Sequence, residues 1–198
     1  MMLTEQLGFI LTGFLGGSVL FSQYLPLAVK RVDVEALSED HNPGAANAIK
    51  YGGVPLGLFC LFLDMFKGFL PVYTAGIHLG PKLPLFFLIM AAPVAGHAFS
   101  VFNRGRGGKA IAVSFGVLIA LLPEIKPLFW MCVIYLFFSL VVVVHPNEKR
   151  TVVTFSLFAV LMGIFGIVRR LLPQLCIGCV LISCIVVYKN RQREYVGE

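Results

Sequence analysis

Charge is scarce in this chain. Only 13% of its 198 residues are Asp, Glu, Lys or Arg, against roughly 25% in soluble domains, so the chain cannot cover a water-facing surface. The net charge of +6 does not indicate nucleic-acid binding, because the basic residues are dispersed and no soluble domain exists to carry a groove. Cysteine is sparse in any useful arrangement. Cys60, Cys132, Cys176, Cys179 and Cys184 all lie in apolar segments, and the Cys176–Cys179 CxxC spacing has no second pair or histidine beside it. These thiols read as small packed hydrophobes rather than a metal or redox site. There is also no domain-sized linker, tandem repeat or low-complexity tract, which leaves residues 1–198 as one integral domain.

What remains is apolar. Hydrophobic residues make up 58% of the chain and the mean hydropathy is +0.88. A membrane span needs roughly 20 apolar residues, and seven stretches qualify as candidates, near 7–29, 53–77, 83–102, 110–123, 126–144, 152–168 and 171–188. The fourth is short, and only Arg169-Arg170 separates the last two, so six spans is the alternative count. The first stretch lacks a basic leader and is long for a signal peptide, so it is expected to stay as a span. Closed helical backbone bonding is what lipid demands, and the expected fold is an all-α integral-membrane bundle of seven transmembrane helices.

Loop charge orients that bundle. On one face lie Lys30, Arg31, Lys50, Arg104, Arg106, Lys109, Lys149, Arg150, Lys189, Arg191 and Arg193, eleven in all, against Lys82, Lys126, Arg169 and Arg170 on the other. Lys and Arg accumulate on the cytoplasmic side, so the N-terminus is expected outside and the C-terminus in the cytoplasm. The polar segments 30–52 and 103–109 then share the cytoplasmic face.

Those segments hold the chemistry. Asn42-Pro43-Gly44 breaks any helix, and Gly44 allows a backbone N–H to approach an oxygen closely, as in phosphate-cradling turns. Asn42 and Asn47 add amides, Lys50 adds charge, and Gly52-Gly53 follow. A plain turn before a span is the competing reading. Asp64 and Lys67 stand three residues apart inside an apolar stretch, hence on one helix face. Intramembrane charges face a cavity or one another, so they read as a packing pair, as a device aiming Lys67 at an anion, or as both. Gly96-His97 precedes Arg104-Gly105-Arg106-Gly107-Gly108-Lys109. Consecutive glycines before a helix start present N–H groups to an anion, and Arg104, Arg106 and Lys109 add charge-assisted bonds. A positive-inside anchor explains those charges but not the glycines. Ala110 follows Lys109, which removes a Walker loop and disfavours a nucleotide hydrolase. His97 is a candidate base or donor, with a satisfied interface histidine as the bland alternative. No histidine has Asp five residues later, which removes the His-x4-Asp dyad of acyl-CoA-dependent acyltransferases.

With these residues assembled, the chain resembles the PlsY family, bacterial membrane acyltransferases that use acyl phosphate to acylate glycerol 3-phosphate. The resemblance runs from about residue 8 to the tail. It rests on Gly17-Ser18, Asn42-Pro43-Gly44-Ala45 with Asn47, Lys50 with Gly52-Gly53, Asp64 with Lys67-Gly68, and Gly96-His97 with Phe102 and Gly107-Gly108-Lys109. It implies seven spans, an external N-terminus, an inner-membrane enzyme with its active site at the cytoplasmic face, and no metal or cofactor. Carried over by position, Asn42, Gly44, Asn47 and Lys50 form one wall of a phosphate site, and His97, Gly107, Gly108 and Lys109 another. His97, Asn47 and Lys109 are the implied catalytic residues, while Ser18, Lys67, Arg104, Asn190 and Arg193 join the substrate-binding set.

The match has departures. Where the family usually has Ser, Gly, Thr and Arg around the first asparagines, this chain has Asp40, His41, Ala46 and Lys50; Ala110 replaces a glycine and Val187 a histidine. An Asp beside a phosphate is repulsive unless it is paired. The implied reaction moves a fatty acyl group from acyl phosphate to the sn-1 hydroxyl of glycerol 3-phosphate, with His97 or a substrate phosphate oxygen as base. Two other readings stand beside it: a transporter of a small organic anion, and an impaired paralogue that binds lipid intermediates. Motifs gathered on one face, rather than at the midplane in paired repeats, argue against the transporter.

Overall fold

In hydrocarbon every backbone N–H and C=O must find a partner within the protein, which restricts an oily chain to helices or a closed barrel. The computed structural model describes residues 2–194 and takes the helical solution, with no strand among the described residues. In chain order the helices are α1 Met2–Gly17, α2 Phe21–Lys30, α3 Val34–Leu37, α4 Ala45–Gly52, α5 Val54–His78, α6 Phe86–Ala98, α7 Ile111–Ala120, α8 Lys126–Leu136, α9 Asn147–Ile167 and α10 Pro173–Glu194. A 3-10 turn covers Val101–Asn103, and a π turn, Phe137–Val141, continues α8.

All seven apolar stretches become helical, but their lengths differ from the expected set. Four helical segments are long and apolar enough to cross a bilayer, Val54–His78, Phe86–Asn103, Asn147–Ile167 and Pro173–Gln192, and the pair α1 and α2, bent by 42°, makes a fifth if it counts as one span. The segments Ile111–Ala120 and Lys126–Val141 are shorter. The bend falls where Gly17 and Ser18 end α1, so one continuous hydropathy window conceals a break.

The polar stretch between α2 and α5 is also more ordered than a turn. Asp33 caps α3 by accepting from the Ala36 N–H (3.0 Å) and from Gln23 Nε2 (2.8 Å), a cap that satisfies an otherwise unpaired helix donor. The Gln23 amide, then the Ala36 N–H, hold this carboxyl below the usual carboxylate range. Past the extended Gly44, Ala45-Ala46-Asn47-Ala48 has helix-forming composition and folds as α4. The helix ends at Gly53, whose φ of +91° lies in the region a side chain would strain. The Asn-Pro-Gly sequence therefore marks a helix start, not only a turn.

The core gathers around α6, which packs against α1 on one side and α10 on another, while α5 pairs with α7 and α9 with α10. Phe86, Ile89, Met90, Val117, Leu118, Phe155, Phe158 and Ile182 are fully or almost fully buried there. Gly17 and Gly96 set the α1–α6 distance: a Cβ on the first would strike the backbone of Pro93, and one on the second the Phe14 carbonyl. The outer surface is apolar, with Leu58, Phe62, Leu70, Ile77 and Val160 all exposed. In water such a surface promotes association; in lipid it meets a matching solvent. Cys60, Cys176 and Cys179 are buried as expected, but Cys132 is only half-buried and Cys184 exposed, because each lies on the outward side of its helix.

Candidate functional site

At one end of the bundle a cavity of about 480 Å³ opens between the polar segments. Its wall is made largely of helix beginnings: Gly44 to Asn47 from α4, Lys109 to Ala112 from α7, and Asn147, Glu148, Arg150 and Thr151 from α9. The first N–H groups of a helix have no intrahelical acceptor, and each helix carries about half a positive charge at that end. Three such ends around one space favour an anion more strongly than any one of them. The remaining wall is Asp40, Asn42, Asp64 and His97, with Leu61, Met65, Phe115 and Tyr135 forming an apolar side. α5 faces the cavity with Leu61, Asp64 and Met65, and Asp64, its eleventh residue, lies about 15 Å from the start of that helix at 1.5 Å per residue.

Lys109 stands at the centre of the charged wall. Its Nζ donates to Asp40 Oδ2 at 2.6 Å and to Glu148 Oε1 at 2.5 Å. Asp40 is thus paired, which removes the repulsion expected of an Asp at a phosphate site. Its other oxygen accepts from Asn47 Nδ2 (2.9 Å), and Asn47 Nδ2 also reaches the Asn42 carbonyl (2.9 Å). Asn42 is buried, its N–H donates to Ser38 Oγ (3.0 Å), and its Oδ1 has no hydrogen-bond partner. The two polar segments are joined a second time by Asn103 Nδ2 donating to Glu35 Oε2 (2.9 Å). Asn190, fully buried on α10, donates to the Val186 carbonyl (2.8 Å) and weakly to the Lys109 carbonyl (3.4 Å), docking α10 against the start of α7.

Deeper in the cavity is a buried polar cluster. Asp64 Oδ1 lies 2.7 Å from Lys67 Nζ and 3.9 Å from His97 Nδ1, and Oδ2 accepts from Ser22 Oγ at 2.6 Å. Lys67 Nζ also donates to the Val19 carbonyl (2.5 Å) and lies over the Phe21 ring. Lys67 therefore neutralises Asp64 from behind and does not line the cavity. The Asp64–His97 proximity joins residues 33 apart in sequence on two helices, so no short motif would reveal it.

Of the residues singled out in the sequence, the structure brings Asn42, Gly44, Asn47, His97 and Lys109 into the cavity wall. Gly107 and Gly108 are buried just behind it: a Cβ on Gly107 would meet the His97 carbonyl, one on Gly108 the His97 ring, and the Gly108 N–H donates to the His97 carbonyl at 3.1 Å. They press the loop onto His97. Gly108→Ala is expected to cost about 1–3 kcal/mol of overpacking, read as a lowered unfolding temperature in detergent; an unchanged temperature would show that the ring swings aside freely. Lys50 lies away from the cavity, exposed, paired with Glu39 at 3.2 Å and set over the Tyr51 ring. Arg104 is exposed in the turn after α6 and does not line the cavity. Ser18 is buried at the α1 break, donating to the Phe14 carbonyl (2.9 Å) while its own carbonyl accepts from Ser100 Oγ (2.6 Å), a packing role. Arg193 lies in α10, but its side chain is outside what the structure describes.

Asn147, Glu148, Arg150, Thr151 and Tyr135 enter the wall without any signal having been read from them. Arg150 counted in the sequence only as a loop charge. The available signal was the polar run Asn147-Glu148-Lys149-Arg150 opening an apolar helix on the same face as the other two polar segments.

Comparison with known proteins gives the family and the fold. The family model for glycerol-3-phosphate acyltransferase matches residues 7–194. A glycerol-3-phosphate acyltransferase from Hydrogenobaculum sp. (strain Y04AAS1) is 30% identical over 194 residues, covering 96% of this chain and 92% of the relative. Another, from Thermotoga petrophila, is 40% identical over 114 residues, 57% of each chain. The fold is similar to the crystal structure of PlsY, an integral membrane glycerol 3-phosphate acyltransferase, in its glycerol 3-phosphate form, with a TM-score of 0.81 at 22% identity over 96% of this chain and 90% of that one. The same protein in its lysophosphatidic acid form gives a TM-score of 0.77. This chain belongs to the glycerol-3-phosphate acyltransferase family.

Proposed function

We propose that this protein transfers a fatty acyl group from acyl phosphate to the sn-1 hydroxyl of glycerol 3-phosphate, releasing phosphate and lysophosphatidate for phospholipid synthesis. The observation that carries this reading is the convergence of three helix beginnings and Lys109 on a cavity whose other side is apolar. A phosphorylated head and an acyl tail require that combination. In the same reading the chain crosses a bacterial inner membrane seven times, with its N-terminus outside and the cavity at the cytoplasmic face. The short α7 and the bent α1–α2 pair then act as spans within the bundle.

Acyl phosphate is a mixed anhydride, so the acceptor hydroxyl attacks the acyl carbon, the acyl C–O bond to phosphate breaks, and phosphate leaves with the electron pair. The hydroxyl proton passes to His97 or to a phosphate oxygen. No covalent enzyme intermediate or cofactor is needed, and the protein's contribution is positioning and charge stabilisation. Lys109 and the N–H groups at the start of α7 face the developing charge. Asn47 orients the site through Asp40, and the unpartnered Oδ1 of Asn42 is placed to accept the acceptor's hydroxyl. Gly44, Gly107 and Gly108 shape the wall, Asn190 holds Lys109's backbone, Lys67 holds Asp64 in place by pairing with it, and Lys50, Arg104 and Arg193 serve binding through the wider field of the cytoplasmic face. Leu61, Met65 and Phe115 receive the first carbons of the tail.

The test is a donor comparison with purified protein in detergent or proteoliposomes, offering acyl phosphate, acyl-CoA and acyl carrier protein with glycerol 3-phosphate. Lysophosphatidate is expected from acyl phosphate alone. Counterflow of glycerol 3-phosphate without chemical conversion would replace this reading with transport, and binding without turnover would replace it with an impaired paralogue.

A further inference from the structure

Three helix beginnings attract an anion, but an anion also needs a cation whose hydrogen-bonding capacity is not already spent. Among the described residues, Lys109 and Arg150 are the Lys and Arg side chains that line the cavity. Lys109 is held by two carboxylates at 2.6 and 2.5 Å, so its charge is more than balanced before any ligand arrives. The other cations near this end are committed or distant. Lys67 is buried behind Asp64, Lys50 is on the surface with Glu39, and Arg104 and Arg106 are exposed in the turn after α6.

Arg150 differs in each respect. Its Nη2 donates to Asn147 Oδ1 at 2.6 Å, and its guanidinium carbon sits 5.8 Å from the centre of the Tyr135 ring. These contacts hold the planar group in place from one edge and one face, the second as a cation–π contact. Yet its Nε is buried with no hydrogen-bond partner. Buried donors without partners are rare and call for an explanation. A guanidinium offers parallel N–H groups that match the oxygens of a phosphate, and here the group lines the cavity beside the positive end of α9, with Nη donors left over after the bond to Asn147.

We infer that Arg150 is the cation that binds the substrate phosphate in this site, while Lys109, balanced by Asp40 and Glu148 before a ligand arrives, serves the charge that develops during transfer. The inference deepens the acyltransferase reading and rests on it for which molecule carries the phosphate. It also accounts for the carboxylate at position 40: pairing to Lys109 lowers the net positive charge there, and recognition moves to the other end of the cavity, on α9.

The experiment measures equilibrium binding of inorganic phosphate and of glycerol 3-phosphate to the purified full chain in detergent, for the wild type, Arg150→Gln and Arg150→Lys. Losing a charge-assisted fork is expected to weaken phosphate binding about ten- to hundredfold. Arg150→Lys, which keeps charge but not the fork, is expected to fall between and serves if Arg150→Gln does not fold. Steady-state KM for each substrate then separates the two sources: a rise confined to glycerol 3-phosphate assigns Arg150 to the acceptor, and one confined to acyl phosphate assigns it to the donor. Wild-type affinity retained by the folded variants would overturn the inference, as would a wild type that binds neither phosphate. A wild type that binds phosphate through Arg150 but transfers no acyl group would overturn the proposed reaction and leave the binding role standing.

Discussion

Lys109→Ala is expected to lower acyl-phosphate-dependent lysophosphatidate formation by about 10²–10³, the usual loss when a preorganised donor to developing negative charge is removed. Lys109 is also what keeps two carboxylates together. Asp40 and Glu148 both reach its Nζ, with side-chain exposures of 29% and 18%, so removing the ammonium leaves like charges facing one another in a partly shielded space, where one of them takes up a proton more readily. A loss of activity through misfolding must therefore be separated from a loss of chemistry. Asp40→Asn in the Lys109→Ala background relieves the repulsion and is expected to restore the unfolding temperature without restoring turnover. Recovery of turnover in that double variant would show that Lys109 only shields Asp40, and full activity in the single variant would remove Lys109 from the site.

The second large effect is on stability. Asp64→Ala is expected to destabilise the protein by about 3–5 kcal/mol, because it strands a buried ammonium. Asp64 and Lys67 are 1% and 7% exposed, and without the carboxylate Lys67 retains only the Val19 carbonyl and the Phe21 ring. Replacing a whole buried pair by apolar groups is far less costly than breaking it, so Lys67→Met combined with Asp64→Ala is expected to recover most of the lost stability. Thermal unfolding in detergent decides the matter, and a single variant as stable as the wild type would mean that the pair is solvated within the bundle. Turnover is expected to stay low in the double variant, since Asp64 lies 3.9 Å from His97 and lines the cavity.

These two substitutions mark the limits of what could be read without coordinates. Lys109 was conspicuous because Gly107-Gly108 precede it and an apolar helix follows; the chemistry of a glycine-rich helix start is local, and local sequence displays it. Asp64 and Lys67 were visible as a pair because an i, i+3 spacing in an oily stretch is also local. Their third partner, His97, comes from another helix, and Ser22 from a third. The same distinction applies to Lys50 and Arg150. Both are basic residues in polar segments of one face, and nothing in their immediate neighbours shows that α4 turns the first outward to Glu39 while α9 turns the second inward beside Tyr135.

The chain alone determined the medium and the material. Thirteen per cent charge and 58% hydrophobic residues require lipid and therefore helices, because unpaired backbone is too costly there, and the basic loops collect on one face for electrostatic reasons that need no fold. The polar segments 30–52 and 103–109 were legible as one site by that count. Tertiary structure decided which ends of which helices meet. It broke the first apolar stretch at Gly17-Ser18, brought in a third polar segment at 147–151, and tied Lys109 to Asp40 and Glu148. Each of these depends on groups 39 or more residues apart, or on packing across a glycine contact. Such pairings follow from how whole helices pack, so a reading of neighbouring residues cannot supply them.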